Sequence, residues 1–187
     1  MNTNILFRNF KELHTLRFYI RGLQTTDAKD LYEIFSDFET VRYQQIPPME
    51  NMEQAEQTIV NFKKGYDDKQ KIRRCIVDLA SNKVLGLISL HTFNEANSSA
   101  CIGFMLNRKY WNNGIMTETA QKLIEYVFES TDLNIIEARV VPQNIGSRKV
   151  CEKLNFKEID FKEKNVFNFR DKTYEDQYIY QLQRNNN

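Results

Sequence analysis

Asn112, Asn113 and Gly114 stand where an apolar run ends and a helical pattern begins, and this junction is where the chain is best equipped for chemistry. Cys101–Leu106 reads as a strand. After Gly114, the residues Met116, Ala120, Leu123, Ile124, Val127 and Phe128 recur at the helical period. A strand that delivers a glycine turn to a helix N-terminus makes an anion site. The first-turn N–H groups have no partner inside the helix, and the helix dipole favours negative charge there. The segment is therefore read as a seat for a phosphate-bearing ligand. The bland alternative, a hairpin turn at Asn113-Gly114, is disfavoured by the helical period that follows directly.

Two other places carry usable side chains. Asn144 with Ser147 three residues on has the form of a helix N-cap and its first turn. His91, at the end of a strand-like run, has an intrinsic pKa near neutrality and could serve as a base; the bland reading is a satisfied or exposed strand-end histidine. Glu95 is a further carboxylate nearby. Cys75, Cys101 and Cys151 are far apart and odd in number, which fits neither a metal site nor a disulfide framework. Reduced cytoplasmic thiols are the reading, with Cys151 a small core residue. His14 and His91 form no zinc motif, so no metal is expected.

The elements that must position these groups can be read in order. Leu16, Phe18 and Ile20 alternate with Arg17, Tyr19 and Arg21 as a strand. Thr25-Thr26-Asp27 offers caps for a helix carrying Leu31, Ile34 and Phe35 on one face. Pro47-Pro48 breaks the chain. A second helix runs from about Met52 to Tyr66, with Ala55, Ile59, Phe62 and Tyr66 on one stripe. Cys75–Leu79 and Val84–Leu90 form a hairpin around Ser81-Asn82-Lys83, and Ala100–Leu106 follows the polar turn Asn94–Ser99. Beyond the helix after Gly114 come a strand over Ile135–Val141, stopped by Pro142, and a short helix with Ile145, Val150, Cys151 and Leu154. Two last strands, about Glu158–Phe169 and Tyr174–Leu182, turn at Arg170-Asp171-Lys172. The pattern predicts one mixed α/β (α+β) domain spanning residues 1–187, antiparallel in its first half, with a polar tail at about 184–187.

Composition narrows the classes. With 41% apolar residues, including 13 Phe and 9 Tyr, the chain can build a sizeable core. A net charge of +1 argues against a protein that coats nucleic acid. The cluster Lys69, Lys71, Arg73 and Arg74 reads as a solvated loop leading into a strand. No apolar run approaches membrane-spanning length, and the N-terminus lacks a signal-peptide core, so a cytoplasmic location with no membrane partner is expected. The GxxxxGK[ST] and GxGxxG fingerprints are missing, which leaves little for a P-loop or dinucleotide reading.

Three segments, in this order, resemble the GNAT superfamily of N-acetyltransferases. They are Ile102-Gly103-Phe104-x-Leu106 running to Tyr110-Trp111-Asn112-Asn113-Gly114-Ile115-Met116-Thr117-Glu118, then Val141-Pro142-x-Asn144-x-x-Ser147, then Glu152-Lys153-Leu154-Asn155-Phe156. Together with His14–Leu23, Thr26-Asp27-Ala28 and Phe35-Ser36-Asp37, they are similar to the ribosomal-protein alanine N-acetyltransferase branch over about residues 10–182. The resemblance implies a GNAT-like, mostly antiparallel, centrally splayed sheet flanked by helices.

It also implies acetyl-CoA as co-substrate and no metal. The pyrophosphate would rest on backbone N–H groups of Asn112, Asn113, Gly114, Ile115, Met116 and Thr117, and Arg108, Lys109 and Arg148 would help hold the adenosine phosphates. Met116 stands where the family has a small residue and is expected to narrow that approach. Asn144 would bond the pantetheine, and Ser147 would give a proton to the leaving thiolate, since the family's frequent Tyr acid is replaced by Cys151. The oxyanion donor would be a backbone N–H around Met105 and Leu106. The branch's Glu before Ile-Gly-Phe is here Cys101, which leaves His91 as the candidate base. A protein α-amine, with a pKa of about 7.7–8.0, needs little base strength, whereas a lysine or polyamine amine near about 10.4 needs more. The acceptor is thus a primary amine, with a protein N-terminus ahead of a polyamine, antibiotic or metabolite. A non-catalytic acyl-CoA-binding module stays open as the alternative. A homodimer is a further expectation of the resemblance.

Overall fold

The computed structural model describes residues 2–8, 10–44, 46–168 and 171–184. Phe169, Arg170 and residues 185–187, expected in the last hairpin and the tail, lie outside the described residues. A short helix α1 (Asn4–Arg8) precedes the hairpin β1 (Leu13–His14) and β2 (Phe18–Arg21). Helices α2 (Ala28–Ser36), α3 (Phe38–Val41) and α4 (Met52–Asp67) follow, then strands β3 (Lys71–Asp78), β4 (Val84–Asn94) and β5 (Ser99–Leu106). The long helix α5 (Ile115–Ser130) leads to β6 (Ile135–Val140), α6 (Ile145–Lys153), β7 (Lys157–Asn168) and β8 (Thr173–Gln183).

Among the described residues the strands form one eight-stranded sheet in the order β1-β2-β3-β4-β5-β6-β8-β7. Neighbours pair antiparallel except β5 and β6, which pair parallel at only three positions, Ser99↔Ile135, Ala100↔Ile136 and Cys101↔Glu137. Beyond Cys101 the two strands part, so the sheet is splayed at its centre. Alternation along the strands builds a core on each face. On one, α5 and α6 cover Ile72, Ile88, Leu90, Ile102, Ile136 and Ala138. On the other, α2 and α4 cover Cys75, Val77, Val84 and Leu87. Leu123 of α5 and Ile88 of β4 are almost wholly excluded from water. Each such side chain contributes about 1.5–3 kcal/mol by burial.

Two sequence expectations are corrected. Leu16 is 91% exposed, because Thr15 N–H donates to the Phe18 carbonyl and turns Leu16 and Arg17 into a hairpin tip. Its alternation with Phe18 and Ile20 is a coincidence of that turn. The basic cluster is not a solvated loop either. Lys71, Arg73 and Arg74 lie within β3, and Arg74 is buried, its guanidinium over the rings of Phe10 and Tyr66.

Candidate functional site

The turn between β5 and α5 is built around positive φ angles. Asn112 and Gly114 have φ of 62° and 73°, and Gly114 is the N-cap of α5. A left-handed cap suits glycine because no Cβ collides there. The first helical bond is Glu118 N–H to the Gly114 carbonyl. The six amides from Asn112 to Thr117 have no protein acceptor among the described residues. These are the groups from which an anion cradle is made. Met116, expected to crowd the approach, is 6% exposed with its side chain in the core beneath α5, so only its backbone faces the turn.

Arg17, which sequence reasoning passed over as a strand residue, braces this turn. From the hairpin tip it donates to the Asn113 carbonyl at 3.2 Å and pairs with Glu118 at 2.7 Å. The contact spans chain positions about a hundred residues apart, and no local pattern signals it.

The splay leaves one edge of β5 open. Asn107 N–H donates to the Leu85 carbonyl, so antiparallel alternation turns the backbone groups of Asn107, Met105 and Gly103 toward β4. Those of Leu106 and Phe104 point into the gap. The amide expected around Met105 and Leu106 is therefore available at Leu106 and Phe104, whereas the Met105 N–H is turned to β4. The carbonyls on this edge are satisfied by side chains, Phe104 O by Gln44 Nε2 at 2.9 Å and Leu106 O by Trp111 Nε1 at 2.7 Å. The two N–H groups are left facing the gap. Tyr43 donates to the Gln143 carbonyl at 2.9 Å, on the β6 side. The turn after α3 thus ties to both arms of the splay, which no sequence signal showed.

Asn144 caps α6, its Oδ1 accepting from Ser147 N–H at 3.1 Å. The capping role uses Oδ1 and leaves Nδ2 free to donate. The half-buried Ser147 hydroxyl has no hydrogen-bond partner among the described residues. Asn155 after α6 adopts φ 62°, a left-handed cap that Asn tolerates.

The three expected phosphate cations each have a partner within the protein. Lys109 pairs with Glu33 at 2.9 Å. Arg148 lies over the Tyr178 ring at 4.8 Å and donates to the Pro142 carbonyl. Arg108, beside the loop, is half exposed and paired with Asp37 at 3.2 Å. Helix-flanking carboxylates and the β8 aromatics claim these cations, and local spacing could not reveal that.

His91 is half-buried on β4, opposite Cys101 on β5. Burial, and then the charges of Lys71, Arg73 and Arg139, push its pKa down to about 4. The ring is therefore neutral at pH 7. This removes the expected match to a base near neutrality. Glu95 is exposed at the β4–β5 hairpin tip. Burial pushes up the Cys101 thiol, which lies 3.7 Å from Glu137 Oε2. Cys151 is fully buried, and burial pushes its thiol up to about 12, as suits an inert core residue. Among the described residues no group of three or more His, Cys, Asp or Glu could hold a metal ion. No helix among them is long and apolar enough to cross a membrane.

The comparisons with known proteins agree with this geometry. Residues 17–157 match the acetyltransferase (GNAT) domain family. N-acetyltransferase p20 of Bacillus licheniformis is 34% identical over 77% of this chain and 81% of its own length. The structure of the microcin C7 self-immunity acetyltransferase MccE, in complex with acetyl-CoA and AMP, superposes with a TM-score of 0.82 at 18% identity, covering 91% of this chain and 94% of that one. RimL, a ribosomal L7/L12 alpha-N-protein acetyltransferase in complex with coenzyme A, gives a TM-score of 0.80 at 15% identity, covering 92% and 98%. The last two establish likeness of fold, and the family match with the 34% relative establishes kinship. The chain belongs to the GNAT family of N-acetyltransferases.

Proposed function

We propose that this enzyme moves acetyl from acetyl-CoA directly to a primary amine, within a single domain over residues 1–187. The observation that carries the reading is the run of six unpartnered amides from Asn112 to Thr117 beside the open edge of β5. The turn suits a diphosphate, and the N–H groups of Phe104 and Leu106 suit the oxygens of an extended arm laid along the gap. The co-substrate supplies the acetyl group as a thioester when bound. Asn144 Nδ2 orients the arm from the β6 side. Ser147, free of partners, holds a proton for the departing sulfur. Gln44 and Tyr43 close the acceptor side of the gap.

Cys101 stands where the resembled branch carries a carboxylate, and His91 binds protons weakly. An α-amine, with a pKa of about 7.7–8.0, is substantially neutral without help. That supports a protein or peptide N-terminus ahead of a polyamine, and RimL is an alpha-N-protein acetyltransferase of the same fold. Incubation with acetyl-CoA and a pooled amine library, read by thiol release and product mass, tests the proposal. Acetylated α-amines are the expected product. Absence of any heat of association with coenzyme A would overturn it.

The missing carboxylate at Cys101 favours one second reading, a module that binds acyl-CoA without turnover. Ser147→Ala separates the two, because only an enzyme has turnover to lose.

A further inference from the structure

One row of register partners crosses five strands, Lys71 on β3, His91 on β4, Cys101 on β5, Glu137 on β6 and Gln181 on β8. The next row holds Arg73, Ser89 and Gly103. Their neighbours Ile72, Leu90, Ile102, Ile136 and Leu182 belong to the core under α5 and α6, so both rows share the opposite face. On that face α2 and α4 pack over β3 and β4. Cys101↔Glu137 is the last rung before β5 and β6 part, which puts the first row at the closed end of the gap. An arm running from Gly114 back along β5 past Leu106 and Phe104 brings its far end to this rung. With α5 and α6 on one face, an attacking group arrives from the other.

The charges there are out of balance. Lys71 and Arg73 have no acidic partner among the described residues, and Glu137, the only acid in the rows, is shared by Arg139 at 3.4 Å, Gln181 at 2.9 Å and the Cys101 thiol. Arg73 lies 3.9 Å above the Phe62 ring, which holds its guanidinium in place. Gly103 lies in the same row as Arg73. A Cβ there would come within 2.7 Å of Ser89 Oγ and 3.6 Å of His91 Nε2, so glycine is what lets these two polar side chains close over the strand. His91 Nδ1 is engaged by Thr92 Oγ1 at 2.8 Å, while its Nε2 is turned toward Gly103. Burial and the neighbouring charge of Arg73 depress Lys71, burial brings Arg73 to about 10, and both cations help depress His91. Two partly buried cations with no acidic partner beside them suit an anion.

We infer that the acceptor amine carries a carboxylate, received by Lys71 and Arg73, while the amine reaches the gap at the Cys101–Glu137 rung. The inference rests on the acetyltransferase reading and adds the substrate class to it. It excludes polyamines, whose cations would meet Lys71 and Arg73.

The test compares acceptors matched in shape and unlike in charge, using the full chain with saturating acetyl-CoA. One arm sets peptides beginning Ser-Asp-Glu against Ser-Asn-Gln, and the other sets glutamic acid α-amide against glutamine α-amide. The arm with the larger preference tells whether the carboxylate belongs to a peptide or to a small molecule. The expected result is a kcat/KM about tenfold or more higher for the anionic member of at least one pair, as charge-assisted contacts provide. Lys71→Gln and Arg73→Gln, each with coenzyme A affinity and Tm measured as folding controls, are expected to bring the ratio toward one. Arg73→Glu is expected to invert it. Acetylation without charge preference, or a preference that survives both substitutions, overturns the inference and leaves the acetyltransferase reading standing. Failure to acetylate any amine overturns both.

Discussion

Gln44 Nε2 donates to the Phe104 carbonyl at 2.9 Å, on the strand edge that β6 abandons. A side chain from the turn after α3 thereby takes a place in the ladder that a neighbouring strand would otherwise fill. Its neighbour Tyr43 bonds the opposite arm at the Gln143 carbonyl. Gln44→Ala would free the Phe104 carbonyl to water and loosen the strap. The expected outcome is a several-fold rise in KM for the acceptor, while coenzyme A affinity by calorimetry stays within about twofold. The loss of a single neutral hydrogen bond near a solvated edge is worth about 0.5–1.5 kcal/mol. An unchanged acceptor KM would separate the strap from recognition.

At Gly114, φ of 73° and the Arg17 Nη2 atom 3.7 Å from an added Cβ make the backbone the sensitive element. Gly114→Ala forces an L-residue into the left-handed region at a cost of about 1–2 kcal/mol. Thermal melting should show that loss. Coenzyme A binding should weaken by about tenfold or more as the cradle amides shift. Arg17→Ala, which keeps the glycine and removes the brace on the Asn113 carbonyl, should weaken binding less, with the difference read in the same titrations.

Ser147 is poised by its freedom. Its N–H is spent on the Asn144 cap, and its hydroxyl is uncommitted. For Ser147→Ala we expect turnover to fall by about 10²-fold, within the usual range for a positioned proton donor, with coenzyme A affinity little changed. Asn144→Ala should instead lower stability by about 1 kcal/mol through the lost cap, visible in the urea midpoint. Equal turnover by Ser147→Ala and the parent chain would take Ser147 out of the proton path.

His91 gives a pH dependence with a defined sign. Its folded pKa of about 4 lies below the ordinary 6.5, so between those values the unfolded chain binds a proton that the folded one does not. Stability contributed by the neutral ring is present above about 6.5 and is lost as pH falls toward 4. Denaturant midpoints at pH 7 and pH 5 should therefore drop less for His91→Gln than for the parent. The activity profile should show no limb from this histidine between pH 6 and 8. A limb near 6.5 that disappears in His91→Gln would restore it as the base.

Much of the architecture was legible locally. The periods of α2, α4 and α5, the hairpin at Ser81-Asn82-Lys83 and the strand stopped by Pro142 are near-neighbour patterns, and the structure places these elements with small shifts at their ends, save that the hairpin strands run four residues further, back to Lys71 and on to Asn94. The ordered motifs around Gly114 and Asn144 led to the family for the same reason, because a cap or glycine turn depends on residues within one turn of chain. Leu16 misled because a hairpin tip and a strand share the same alternation over a few residues.

The sequence alone marked the main strands and helices, but not α1, α3 or β1, and determined that Gly114 opens a helix with unpaired amides and that Asn144 caps the next one. Only the tertiary structure decided which amides of β5 are free, because that depends on where β6 parts from it. It also decided that Lys109 and Arg148 are held by Glu33 and Tyr178, that Met116 points into the core, and that Lys71, Arg73 and His91 share one face. Charge and proton affinity are set by all neighbours in space, and residues far apart in the chain supply most of them.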